Sequence, residues 1–140
     1  MYYLEKKTIT PNTEVSRKMD RIRVLIVDDQ AIVRKSIHMF LDTDPTIQVI
    51  GEAIDVQDAI RQARSLLPAV VLMDLILAQG NSCQAITEIK SYLPSIKIIV
   101  LTMSEDKTSV EAALAGGADG YLHKGTVDGE ALLQALHATQ

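Results

Sequence analysis

Four apolar runs in this chain each end on side chains that can do chemistry. The run 22–27 ends at Asp28 and Asp29, 69–73 at Asp74, 96–101 at Thr102, and 120–123 at Lys124. Three carboxylates, a hydroxyl and an ammonium form a set suited to phosphate. Carboxylates suit a hard divalent cation, and a hydroxyl and an ammonium suit phosphoryl oxygens. If the runs are parallel strands of one sheet, their C-terminal ends share an edge, where open α/β sheets bind ligands. The set then reads as a site for placing a phosphoryl group on a carboxylate.

Each group alone has a blander reading. Asp28 and Asp29 could cap the helix that starts near Gln30, where the helix dipole favours negative charge. One acid would suffice for that, and two adjacent acids repel unless a cation relieves them. A metal explains both, one binding directly and the other through water. Asp74 could be an ordinary loop acid, Thr102 a helix cap and Lys124 a solvated lysine. The weight lies in their combination, one group per strand end.

The elements that must position these groups alternate along the chain. Strands are expected at 22–27, 47–53, 69–73, 96–101 and 119–123. Helical stripes lie between and after them: Val33, Ile37, Phe40 and Leu41; Val56, Ala59, Ile60, Ala63 and Leu67; Ile86, Ile89 and Leu93; Val110, Ala113 and Leu114; and Leu132, Leu133 and Leu136. Pro45, Pro68, Pro94 and Gly116-Gly117 punctuate them. Five strand–helix units imply a parallel sheet covered on both faces. Residues 1–20 show no clear periodicity and are expected to be an N-terminal extension. Residues 21–140 are expected to form one domain.

Composition narrows the function classes. Hydrophobic content of 47% with 23% charged residues is that of a globular domain. A net charge of −4 gives no electrostatic reason for this chain to bind nucleic acid directly. No stretch is long and apolar enough to span a bilayer, and the N-terminus lacks a signal-peptide core, so a cytoplasmic location is expected. Cys83 is the sole cysteine, which rules out an internal disulfide or a thiolate cluster. His38, His123 and His137 lack metal-ligand spacing. Alternation points His123 away from Lys124.

Four fragments carry a family resemblance: Val24-Leu25-Ile26-Val27-Asp28-Asp29, Val71-Leu72-Met73-Asp74-Leu75, Leu101-Thr102-Met103-Ser104 and Ala118-Asp119-Gly120-Tyr121-Leu122-His123-Lys124. Over about Arg21 to Ala138 the chain resembles the receiver domain of bacterial two-component response regulators. The wording is most like receivers of the LuxR-type (NarL/FixJ-like) group, whose output domain is a helix-turn-helix. The resemblance implies a doubly wound (βα)5 flavodoxin-like fold, with a five-stranded parallel sheet of order 2-1-3-4-5. That order comes with the resemblance and is not a reading of residue spacing.

The resemblance also implies roles. Asp74 matches the phosphoacceptor, Asp29 the direct Mg2+ ligand and Asp28 the ligand acting through water. The carbonyl of Ile76 matches a third protein ligand. Thr102 matches the hydroxyl that turns toward the phosphoryl group, Tyr121 the aromatic that moves with it, and Lys124 the cation pairing with the acyl phosphate. Ile76, Met103 and Ser104 border the approach of water and are expected to prolong the phosphorylated state. The implied donor is a phosphohistidine on a sensor histidine kinase or phosphotransfer protein, and the implied response includes homodimer formation. DNA binding would belong to a C-terminal domain beyond Gln140; a single-domain receiver is the alternative.

Two departures stand out. Leu77-Ala78 and Ser82 occupy places where the family usually has Met-Pro and Gly, with Gly80 earlier, so the loop after Asp74 is expected to run differently. Gly125 follows Lys124 where many receivers have Pro. The rivals are an interaction module that works without phosphorylation, a phosphatase or phosphotransferase with an Asp nucleophile, and a flavin carrier. The phosphatase class commonly places Asp-x-Asp after its first strand, whereas Asp28-Asp29-Gln30 stands here.

Overall fold

Alternation of strand and helix produces a single parallel sheet. The structure, a computed structural model, describes residues 20–77, 79–103, 107–125 and 128–140. The strands are β1 (Ile22–Val27), β2 (Ile47–Ala53), β3 (Val70–Asp74), β4 (Lys97–Thr102) and β5 (Gly120–His123). The helices among the described residues are α1 (Ala31–Leu41), α2 (Val56–Leu66), α3 (Ser82–Tyr92), α4 (Lys107–Ala115) and α5 (Gly129–Ala138). The sheet order is β2-β1-β3-β4-β5, all pairs parallel. This is the flavodoxin-like order that the resemblance implies. The expected extension lies outside the described residues up to position 19.

Period-2 alternation divides the core in two. Leu25, Val27, Val71, Met73, Ile98 and Val100 pack under α2, α3 and α4. Val24, Ile26, Val70, Leu72, Ile99 and Leu101 pack against α1 and α5. The middles of the central strands, Val24–Val27, Val70–Met73 and Ile98–Leu101, are therefore continuously apolar, as strands covered on both faces must be. β3 and β4 each begin and end one residue later than the sequence pattern suggests, so that Asp74 pairs with Leu101 inside the ladder. In α5, Leu132 and Leu136 are buried in this core.

One irregularity has positional consequences. β1 and β2 pair Val24 with Val49 and then Leu25 with Gly51, leaving Ile50 as an extra residue. Such a bulge reverses which face the following side chains meet. Ile47 and Val49 face the α1 side, whereas Ala53 faces the α2 side. Glu52, opposite Ile26, accordingly stands on the α1 side.

Candidate functional site

The acidic pair comes off β1 at its buried C-terminal end. Asp28 is 2% exposed, and Asp29 is exposed. Neither acid caps α1: Gln30 is the cap residue and makes no side-chain capping bond. Instead the Gln30 N–H donates to Asp28 Oδ1 at 2.9 Å. The capping explanation for two acids therefore fails at this helix.

Continuing the strand alternation by one residue puts Asp28, Asp74 and Lys124 on the α1/α5 side of the edge. Lys124 Nζ lies 2.8 Å from Asp28 Oδ2 and 3.3 Å from Asp74 Oδ2. Its own N–H donates to the Thr102 carbonyl at 2.8 Å, which extends the β4–β5 ladder into the site. Asp28, Asp29 and Asp74 each offer an oxygen within 4.8 Å of the others. Asp74 Oδ1 also accepts the Ile76 N–H at 3.2 Å.

Burial raises the Asp74 carboxyl above its ordinary range; the Ile76 N–H and the Lys124 charge oppose that without cancelling it. Burial also works against the Lys124 ammonium, but the Asp28 hydrogen bond and the charges of Asp74 and Asp28 outweigh it and raise its pKa. The Asp74 shift carries a sign for stability. Between the unfolded value and the higher folded one, the unfolded chain ionises first, so ionised Asp74 costs folding energy, a cost absent at lower pH. In metal-free protein, carbon-detected NMR should place the Asp74 midpoint above 3.8. Asp74→Asn should raise urea stability near neutral pH. A midpoint below that of an ordinary aspartate would remove the basis for both.

Thr102 ends β4 and is buried. It pairs with His123 across β5 and shares the α4-side face with Val100. Tyr121, paired with Val100, lies on that same face and is 51% exposed. Ile76 and Met103, 63% and 61% exposed, stand over the site. With Asp29, Gln30, Asp74 and Lys124 they line an open cavity of about 340 Å³. Ser104 lies outside the described residues.

Of the unusual residues after Asp74, Ala78 lies outside the described residues, while Ser82 and Gly80 make contacts of their own. Ser82, buried at the start of α3, donates its hydroxyl to the Asp74 carbonyl at 3.1 Å. Gly80 has φ +89°, and a Cβ there would sit 2.7 Å from Val56 of α2. The residue pattern does not single out Arg34 or Glu52, which also reach the site. Arg34 Nη1 donates to the Asp28 carbonyl at 2.8 Å, and Nε donates to Glu52 Oε1 at 3.0 Å. Glu52, the one charged residue of β2, is the available signal.

An acid triad bridged by a lysine at the C-terminal edge of a 2-1-3-4-5 sheet has a counterpart among known proteins. The profile of the response regulator receiver domain family matches residues 24–137. The chain belongs to this family. The receiver is 42% identical over 105 residues to the response regulator protein VraR of Staphylococcus epidermidis, covering 75% of this chain and 50% of that protein. VraR of Staphylococcus aureus is 40% identical over 105 residues. The receiver thus spans about half the length of the curated relatives it matches. A LuxR-family two-component response regulator from Aurantimonas superposes with a TM-score of 0.79 at 31% identity, covering 84% of each chain. The isolated REC domain of RcsB from Salmonella enterica, solved with phosphomimetic BeF3−, gives 0.76 at 30% identity, covering 84% of this chain and 89% of that one. The chain is a receiver domain of a two-component response regulator, a class of phosphorylation-dependent switch. No helix among the described residues is long and apolar enough to cross a membrane.

Proposed function

We propose that this receiver, residues 21–140, takes a phosphoryl group on Asp74 from a phosphohistidine of a sensor histidine kinase or phosphotransfer protein. The observation that carries this is Lys124 held between Asp28 and Asp74 beside an exposed third acid, Asp29. An Asp74 carboxylate oxygen attacks phosphorus, the nitrogen–phosphorus bond breaks, and the released imidazole takes up a proton. Lys124 holds the phosphoryl oxygens as the charge shifts.

Lys124 offsets only part of the charge of three close carboxylates, and a hard divalent cation suits the remainder. Asp28, Asp29 and Asp74 would hold Mg2+, with the Ile76 carbonyl as a further ligand. Bound there, Mg2+ would offset negative charge on the phosphoryl oxygens. Thr102 turns its hydroxyl toward the new group, and Tyr121, on the same face of the sheet, moves with it. The protein modifies itself and is not a turnover enzyme. It acts in the cytoplasm, with residues 1–20 as an extension and a DNA-binding output domain beyond the receiver.

In α5, Leu132 and Leu136 are consumed by the core and leave no apolar area for a dimer. Ile32 and Met39, two turns apart on α1 and exposed, are the better supported surface for homodimer formation. Titration with beryllofluoride tests the reading. The wild-type chain should bind it only with Mg2+ and gain mass by sedimentation. Asp29→Asn should need at least tenfold more Mg2+, within the range for losing a charged metal contact. Binding without Mg2+, or no loss in Asp29→Asn, would sink the assignment.

The mouth of the cavity bears on signal duration. Hydrolysis of an acyl phosphate needs a water held in line with phosphorus. Ile76 cannot hydrogen-bond such a water, and Met103 beside it narrows the approach. Ile76→Asn should therefore shorten the phosphorylated lifetime, and Ser104→Glu should add to it. A tenfold change corresponds to about 1.4 kcal/mol in the barrier. Unchanged dephosphorylation of the double variant would reject the water-exclusion account.

A further inference from the structure

Asp28 is held at four points. Its N–H donates to the Ala53 carbonyl at 3.1 Å, Oδ1 accepts from Gln30, Oδ2 meets Lys124, and its carbonyl accepts from Arg34. The last bond has a particular reach. The Asp28 carbonyl belongs to the peptide group that joins Asp28 to Asp29. The plane of that one group sets the direction in which both acids leave the backbone, because a peptide rotates as a rigid unit.

Arg34 is well placed to fix it. It stands in the first turns of α1 with its side chain 15% exposed. Its Nε is held by Glu52 Oε1, and the other Glu52 oxygen accepts from His38 Nδ1 at 2.7 Å. The Glu52 carboxyl lies below the ordinary range, chiefly through that His38 bond, then through Arg34 against the effect of burial. The guanidinium is thus tied to β2 by one edge and to the acid loop by another. A planar fork held at two edges has little freedom to swing.

We infer that Arg34 and Glu52 are positioning residues for the acid pair: Arg34, oriented by Glu52, locks the Asp28–Asp29 peptide and so the angle at which both carboxylates meet a divalent cation. This rests on the reading of those acids as Mg2+ ligands. Two effects of Arg34 oppose each other. As a cation it repels a metal ion, and as an anchor it preorganises the ligands. Glu52 offsets the charge locally, so geometry dominates. The sign of the change on removing Arg34 separates the two.

The experiment is calorimetric Mg2+ titration of the full chain and its variants, with urea unfolding of each. Wild type binds, and Asp29→Asn loses affinity. Arg34→Ala should weaken binding about tenfold, the lower end for partners that orient a metal ligand. Arg34→Lys should recover only part of that, since an ammonium cannot serve the carbonyl and Glu52 with the same fork. Glu52→Ala should weaken binding by about threefold, because it frees the guanidinium without removing it. A purely structural role would lower the urea midpoint and leave Mg2+ affinity of the folded protein unchanged; that result in Arg34→Ala, or tighter binding, overturns the inference. Should Arg34→Ala not fold, unchanged affinity in folded Arg34→Lys and Glu52→Ala overturns it equally. Failure of the metal reading looks different: wild type takes up no Mg2+ and Asp29→Asn changes nothing.

Discussion

Asp74→Ala, incubated with Mg2+ and acetyl phosphate, should take up no phosphoryl group under conditions that label the wild-type chain. The three acids at the sheet edge are not equivalent. Asp28 is 2% exposed, with Oδ1 on the Gln30 N–H and Oδ2 on Lys124, so it is the least accessible of the three to an incoming phosphoryl group. Asp29 is exposed at the rim. Asp74 is partly desolvated with a raised pKa, and a more basic carboxylate is the better nucleophile. Lys124, 3.3 Å away, is positioned to receive the oxygens of the incoming group. Asp74→Asn should also fail to label while keeping the shape of the site. Labelling of Asp74→Ala at wild-type intensity, located on Asp29 by mass spectrometry, would transfer the acceptor role there.

The second large effect is on stability. Gly80→Ala should lower unfolding free energy by roughly 2 to 4 kcal/mol, from backbone strain together with overpacking. The glycine has φ +89°, a conformation L side chains rarely adopt. Its Cβ would also meet Val56 Cβ and Cγ2, both at 2.7 Å. Val56 is buried at the first turn of α2 and has no room to retreat. The same loop is tied at its far end by the Ser82 hydroxyl on the Asp74 carbonyl, so the strain falls on Asp74 too. Urea denaturation should show a lower midpoint with an unchanged slope. A midpoint within experimental error of wild type would mean that the loop relaxes around the added methyl group.

Much of this architecture is legible in the order of residues alone. Apolar runs ending in Asp28-Asp29, Asp74, Thr102 and Lys124 place one group per strand end, and that pattern is local. The alternation of strand and helix is local too, and it determines both faces of the sheet. Three things are not legible. Strand limits in β3 and β4 depend on a neighbouring ladder, which carries Asp74 into the sheet. The fate of Leu132 and Leu136 depends on which face of α5 meets the core. Arg34 and Glu52 lie 18 residues apart and become partners only through the pairing of β1 with β2. No periodicity within either segment announces that contact.

The extra residue in β2 gives that strand a frame that cannot be shifted. Up to Val49 the odd positions look toward α1; past Ile50 the even ones do, and Glu52 is among them. Straightening the strand at its full length, so that Ile50 takes up the pairing with Leu25, would leave its composition untouched, yet it would turn Glu52 toward α2 and leave the Arg34 guanidinium without its partner beside the acid loop. A chimera that borrows β2 from an unbulged sheet inherits the same fault, however well its residues match one for one. A graft into β2, the edge strand of the sheet, therefore has either to keep the extra residue at position 50 or to be one residue shorter, so that Glu52 goes on facing α1 and Arg34.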